Sequence, residues 1–219
     1  GAFLSAAVII MIKPYIFVTL FPMLVVWLFY ERILALRNAL VKFVLLPVGG
    51  LLVLSGILFV LRSMGDSFGQ FSLDAVLETV VVTKNDMQRA EEYGNNYFDV
   101  GELDGTWGSL LSKAPTAIGA ALYRPFLWEV RNVVMLFSAL ENMWLLLLTI
   151  GVLWRVGPLR TVRYALGNPL VLVCFGFVLL FGFGVGISTP NFGALVRLRI
   201  PLVPFLVAGL FIVSHIHAR

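Results

Sequence analysis

The chain has 219 residues, of which 60% are hydrophobic and only 13% are charged, whereas soluble domains carry about 25% charged residues. This composition excludes an ordinary soluble domain and indicates a membrane protein that crosses the bilayer several times. The net charge of +4 does not indicate nucleic-acid binding, because the basic residues stand at the ends of apolar runs and form no basic block. The single cysteine, Cys174, lies within an apolar run, so we expect no disulfide and no cysteine metal site. No phosphate loop, GxGxxG, HExxH or GxSxG motif occurs, and we expect no cofactor.

Residues 1–61 are predicted to hold the first transmembrane helices. A break is expected at Lys13-Pro14, because proline disfavours helical geometry in the residue before it. One spanning helix then runs from about Tyr15 to Tyr30, and a second runs from Phe43 to Leu61. The chain begins at Gly1 without a methionine and is apolar from the start, so we expect it to be part of a longer protein, for instance its carboxy-terminal part.

Residues 62–131 form the one long polar region and are predicted to be a mostly helical external insertion. The stretch from Leu73 to Ala90 roughly follows helical spacing, which favours an amphipathic helix; a strand at 80–83 is the less favoured alternative. The acidic residues that follow lack the spacing of a calcium loop, so we expect a solvated loop and no metal site. A short helix at 115–123 should end before Arg124-Pro125.

Residues 132–219 are predicted to hold three more spans. The central span runs from Val133 to Leu153 and contains Glu141. A charged group inside a span costs about 2.5–3.5 kcal/mol on insertion scales, so Glu141 should face protein or water and have a partner. The fold is therefore predicted to be all-α, a bundle of about five spans. The last two spans are predicted at 169–187 and 201–214. The connections before them are predicted at 154–168 and 188–200, respectively.

The short connections predict how the bundle is oriented. Residues 31–42 and 154–168 are rich in lysine and arginine, and short basic loops prefer the cytoplasmic side. The insertion at 62–131 and the connection at 188–200 then lie outside, and the carboxy terminus lies inside.

Two arginines depart from this pattern, because Arg197 and Arg199 lie in the connection assigned to the outside. The planar fork of arginine pairs bidentately with phosphate or carboxylate. With Asn191 beside them, these arginines could hold a lipid-linked diphosphate or an anionic sugar, and Arg124 could share that site. The alternative is a lipid headgroup contact or an ion pair with Glu129 or Glu141.

Glu141 is the second candidate for a functional role. It could act as a general base or pair structurally with Lys13, Arg124 or an arginine of the last loop, and the structural pair is the favoured interpretation. His215 and His217 are two residues apart, which does not suit a metal site on one helix face.

Three short motifs stand out in the second half of the chain. They are Arg124-Pro125-Phe126-Leu127-Trp128-Glu129, then Glu141-Asn142, and then Asn191-Phe192-Gly193 with Arg197, Arg199, Pro201 and Pro204. With these motifs the chain resembles the carboxy-terminal half of bacterial inner-membrane proteins from polysaccharide loci. Those proteins are similar to membrane-embedded glycosyltransferases that use lipid-linked sugars.

The resemblance implies a glycan-handling role at the outer face of the inner membrane, with a polyprenyl-phosphate sugar or lipid-linked oligosaccharide as substrate. Together with the candidate residues above, it gives a first hypothesis in which four residues bind the anionic substrate and two carboxylates support them. In that transferase class the catalytic acid lies in the first external loop, and no matching segment occurs here, so no catalytic residue is assigned. The anion-binding residues would be Arg124, Arg197, Arg199 and Asn191, and the supporting residues Glu129 and Glu141.

Two other functional classes fit the same sequence. In the first, the chain is a non-catalytic scaffold subunit of a larger membrane complex, and its partners are other membrane subunits as well as lipids. The glycine-bearing span at 169–187 and the apolar stripe at 73–90 would then be contact faces. A transporter is the third class, but no inverted repeat supports it.

Overall fold

The computed structural model describes residues 14–35, 82, 106–189 and 191–219. Over these residues the chain is almost entirely α-helical and contains no β-strand, so the all-α prediction is confirmed there. The predicted span at 43–61 lies outside the described residues. So does the predicted amphipathic helix at 73–90, apart from Val82, which is helical.

Eight α-helices follow one another in the part of the chain that the structure describes. A single 3-10 turn, Leu127–Glu129, lies between the third and the fourth. The helices are α1 (Pro14–Ala35), α2 (Trp107–Ser112), α3 (Ala114–Tyr123), α4 (Val133–Val156), α5 (Pro158–Gly167), α6 (Pro169–Ser188), α7 (Phe192–Leu198) and α8 (Leu202–Ala218).

Two of these helices are long and apolar enough to cross a membrane. They are α4, with 24 residues and a mean hydropathy of 1.9, and α6, with 20 residues and a mean hydropathy of 2.7. At about 1.5 Å per residue they are about 36 and 30 Å long, which suits a hydrocarbon core of about 30 Å. The bent pair α7 and α8, at 61° to each other, counts as a third if it is one broken span.

The described residues therefore hold two, or up to three, candidate spans, fewer than the five predicted for the whole chain. The apolar part of α1, Thr19–Tyr30, is shorter than a full span. Pro22 lies inside α1 and does not end it.

Asparagine caps fix where the two long helices begin. The side-chain oxygen of Asn132 accepts from the backbone N–H of Met135 at 2.8 Å, which satisfies an amide that has no partner in the first turn of α4. Asn168 caps α6 in the same way, with Pro169 in the first position. α4 ends at Gly157, whose φ of 87° suits glycine. The predicted starts at Val133 and Pro169 are thereby confirmed.

α6 lies at the centre of the bundle and contacts α1, α3, α5, α7 and α8. Small residues let α3 approach it closely: a Cβ on Gly186 would collide with the backbone carbonyl of Ala117, and Ala121 lies 3.9 Å from a Cβ built on Gly182. Ala117 and Ala121 are fully buried. α3, which the sequence assigned to the external insertion, therefore packs directly on a membrane-crossing helix.

α4 lies at the side of the bundle. In its most apolar window 22% of the residues are buried, against 56% in α6. The large apolar side chains of α4 that are exposed form a face that would contact lipid. Exposed tryptophans mark its two ends, Trp128 just before the helix and Trp154 near its last turn, as in the aromatic belts of membrane proteins.

The predicted basic connection at 154–168 is a helix over most of its length, namely α5. The hydroxyl of Tyr30 at the end of α1 donates to the backbone oxygen of Leu166 at 2.5 Å. The hydroxyl of Tyr164 lies 3.5 Å from Nδ1 of His217 near the end of α8. The ends of α1 and α8 therefore meet α5 at the same end of the bundle, as the predicted topology requires.

Candidate anion-binding site

The predicted anion-binding residues and their two supporting carboxylates gather at the opposite end of the bundle. There α3 ends, α4 begins and the chain bends between α7 and α8. Within this region the structure forms two separate features: a buried junction that includes Arg199, and an open groove that includes Arg197.

Arg199 ends α7 directly before the bend, and only 1% of the residue is exposed. Its Nη1 donates to the backbone oxygens of Leu122 and Arg124, at 3.2 and 3.4 Å, and its Nη2 donates to Oδ1 of Asn142. The last carbonyls of a helix lack partners within the helix, and arginine is suited to satisfy them. Arg199, at the end of α7, thus caps the end of α3.

Asn142 completes this buried junction. Its Oδ1 accepts from Arg199, and its Nδ2 donates to the backbone oxygen of Pro125 at 3.0 Å. Both ends of the amide are therefore used, as a buried polar group in a membrane helix requires. The junction, made of Arg199, Asn142 and the backbone of 122–125, joins α4 and α7 to the connection that follows α3.

Glu141 lies beside the junction and not inside it. Its Oε2 is 4.0 Å from Nη2 of Arg199, and its side chain is 51% exposed. It lines a cavity of about 360 Å³ in which Arg199 is the other titratable residue among the described lining residues. Three partners were predicted for Glu141, and the structure brings one of them near, Arg199 of the last loop. Lys13, another predicted partner, lies outside the described residues.

Arg124 is held at the mouth of α4. Its Nη2 lies 2.9 Å from Oε1 of Glu129, and Oε2 of Glu129 accepts from the backbone N–H of Phe126 at 2.8 Å. Phe126 also stacks on the ring of Trp128, with ring centroids 4.6 Å apart. The ion pair therefore closes the tight turn that leads into α4, a pairing of Arg124 that the sequence analysis did not predict.

Arg197 points to a different place, an open groove of about 410 Å³ between the first turns of α4 and α7. Arg197 is exposed, and its Nε donates to the backbone oxygen of Gly193 at 3.0 Å. Asn191 caps α7, its Oδ1 accepting from the backbone N–H of Gly193 and Ala194. This α4–α7 groove is lined by Asn132, Val134, Met135, Ser138, Asn191, Phe192, Gly193, Val196 and Arg197.

The structure therefore divides the predicted anion-binding set. Arg197 and Asn191 line the groove, although each also bonds to the backbone of α7. Arg124 and Arg199 are not among the groove residues and bind Glu129 and the buried junction. The physical reason for the separation of Arg197 from Arg199 is helical geometry, because residues two apart on a helix point about 200° from each other. One of them faces the groove and the other faces the bundle.

Three residues of this region were not assigned a site role from the sequence. Asn132 carried a signal, since an asparagine directly before an apolar run is a typical helix cap. Asn142 belongs to the Glu141-Asn142 motif, and an amide inside a span needs a partner as a carboxylate does. Ser138 stands in the apolar run without any distinguishing pattern.

The groove offers one cation, amide and hydroxyl groups, and an apolar wall. Its described lining residues include no carboxylate, histidine or cysteine. No group of three potential metal ligands occurs within the described ranges. This arrangement can bind an anion that carries an apolar part, and the described lining residues supply no general base.

Comparison with protein-family models, with curated proteins and with solved structures gave no match.

Proposed function

We propose that the chain is part of a bacterial inner-membrane protein of about five spans that handles lipid-linked sugars in cell-envelope polysaccharide assembly. The α4–α7 groove is the proposed binding site for the phosphate and the first sugar. The proposal rests on one observation, the exposed guanidinium of Arg197 on the wall of a groove that also has an apolar lining.

The chemistry of the groove suits such a ligand. The Arg197 fork can pair with phosphate oxygens, and the positive end of the α4 dipole favours an anion near Asn132. The hydroxyl of Ser138 can exchange hydrogen bonds with a sugar. Val134 and Phe192 offer an apolar surface to the first carbons of a polyprenyl chain. The volume lies within the range of about 300–1,000 Å³ typical of ligand pockets.

The position of the groove suits a lipid-linked ligand as well. It is formed by the first turns of α4, just after the exposed ring of Trp128, and exposed tryptophans are enriched at the level of the headgroups. A phosphate bound there would lie at the interface while its polyprenyl chain stayed among the acyl chains. Arg124, Arg199, Glu129 and Glu141 would shape the site without touching the ligand.

The direct test is binding of a polyprenyl phosphate to the purified chain in lipid nanodiscs, measured by native mass spectrometry. Arg197→Gln should weaken binding about tenfold or more, because a hydrogen bond to a charged group contributes about 1.5–3 kcal/mol. Arg131→Gln is the matched control, since Arg131 is exposed and is not among the groove residues. Equal binding by both variants would rule out the groove as the site.

The same pair of variants can be compared in a producing cell. Arg197→Gln should lower the amount of surface glycan at an unchanged protein level, and Arg131→Gln should not. Normal glycan in the Arg197 variant would count against the role in polysaccharide assembly even if the lipid binds.

The scaffold role is the second candidate, and the buried junction favours it. Two of the three arginines first assigned to the ligand bind the fold itself, and the described groove lining lacks a general base. In this role the exposed apolar face of α4 would contact another subunit. Co-purification of a stoichiometric partner in mild detergent would support the scaffold, and a stable monomer would count against it.

A further inference from the structure

α5 presents two kinds of side chain away from the bundle. Its packed face contains Thr161, Tyr164 and Ala165. On the outer face Leu159, Val162 and Leu166 are exposed by 86%, 57% and 60%. At about 100° per residue these three side chains fall within about 60° of each other around the helix axis. They form an unpartnered apolar stripe that points away from the protein.

Basic side chains flank this stripe. Arg160 and Arg163 are both exposed, and about 100° per residue places them together on one side of the apolar stripe. Arg155 is exposed in the last turn of α4, directly before α5. No acidic residue occurs from Trp154 to Asn168, so no carboxylate within this stretch offsets these charges.

The position of α5 in the fold places it at the membrane interface. It connects the end of α4 to the start of α6, the two helices that are long enough to cross the bilayer. It is fixed there by packing against α4, α6 and α8 and by the hydrogen bond from Tyr30 to Leu166. A helix with an apolar stripe flanked by arginines, held at that depth, is typical of helices that lie in the plane of the interface.

We propose that α5 is a docking surface for the anionic phospholipids of the leaflet in which it lies. Leu159, Val162 and Leu166 insert among the upper acyl carbons, and Arg160, Arg163 and Arg155 bind the phosphates and the excess negative charge of the headgroups. Charge complementarity selects the partner, because three cations in a stretch of 15 residues without an acidic residue attract a leaflet of net negative charge more than a zwitterionic one. This proposal is independent of the α4–α7 groove, which lies at the other end of the bundle.

The test compares lipid selectivity in vesicles of phosphatidylcholine that contain the full chain. Electron spin resonance with spin-labelled phosphatidylglycerol or phosphatidylcholine gives the relative association constant of the two lipids. The preference of the wild type for phosphatidylglycerol should fall about fivefold for each arginine removed in Arg160→Gln and Arg163→Gln. Arg131→Gln, at the opposite end of the bundle, should leave it unchanged. Equal selectivity in the wild type and the Arg160→Gln/Arg163→Gln double variant would overturn the proposal.

A second measurement keeps the charges of α5 intact. An environment-sensitive fluorophore is attached to Val162→Cys in a Cys174→Ala background, which removes the one native thiol. Spin labels high on the lipid acyl chains should quench it, and aqueous iodide should not. Quenching by iodide alone would show that the stripe faces water and would overturn the proposal.

Discussion

Arg199 and Asn142 stand 57 positions apart and share one buried hydrogen bond. The guanidinium of Arg199 also donates to the backbone oxygens of Leu122 and Arg124, and the amide of Asn142 donates to that of Pro125. Among the described residues, no buried side-chain nitrogen or oxygen lacks a partner. A small set of polar contacts inside an apolar bundle therefore fixes the positions of α3, α4 and α7 relative to one another.

Asn142→Ala should destabilise the protein by about 3 kcal/mol. The substitution leaves Nη2 of Arg199 without its amide acceptor and the carbonyl of Pro125 without its donor, and an unsatisfied buried group costs about 1–3 kcal/mol, more when it is charged. The free energy of unfolding in detergent, followed by tryptophan fluorescence, gives the size of the loss.

A double-mutant cycle separates this pair from simple loss of packing. Arg199→Met alone should also be costly, but the Asn142→Ala/Arg199→Met variant should lose less than the sum of the two single changes, because both partners of the bond are removed together. Strict additivity would show that the two residues do not act as a pair.

Gly186→Ala should loosen the contact between α3 and α6. A methyl group at Gly186 would collide with the backbone carbonyl of Ala117, and backbone cannot move as a side chain does. Overpacking of this kind costs about 1–3 kcal/mol. The matched control is Gly184→Ala on the same helix, where nothing lies within 4 Å of the added Cβ. The melting temperature in detergent should fall for the first variant and stay the same or rise slightly for the second; equal values would contradict the close packing.

Tyr30→Phe should weaken the attachment of α1 to α5. It removes the hydroxyl that donates to the Leu166 carbonyl at 2.5 Å, and a hydrogen bond of this kind contributes about 0.5–1.5 kcal/mol. Tyr164→Phe is the comparison, because its hydroxyl lies 3.5 Å from His217, at the limit of a hydrogen bond. Hydrogen exchange of the α1 amides should rise more in the first variant, and a larger rise in the second would reverse the assignment.

Local signals predicted the elements of the fold. The start of α4 at Val133, the start of α6 at Pro169 and the end of α3 before Arg124 all follow from apolar runs and prolines. These features act on the few residues around them, and so they can be read without the tertiary structure. The sequence analysis predicted 154–168 as a connection and did not predict α5 within it. The arginines of this segment indicated a basic loop, although its apolar residues have helical spacing.

Tertiary relationships were not readable in the same way. The burial of Arg199 depends on where the carbonyls at the end of α3 lie, and no sequence pattern links positions 77 residues apart. The sequence grouped Arg197 with Arg199 because they are close along the chain. On a helix, residues two apart point in different directions, so a helical segment places these two arginines in different surroundings.

The α4–α7 groove and the exposed face of α4 share a residue, since Val134 lines the first and belongs to the second. The groove is thus continuous with a surface that meets acyl chains. An amphiphile would reach it sideways, by diffusion within one leaflet, without its tail entering water. Its rate of arrival would scale with its mole fraction in the bilayer and not with its concentration in solution.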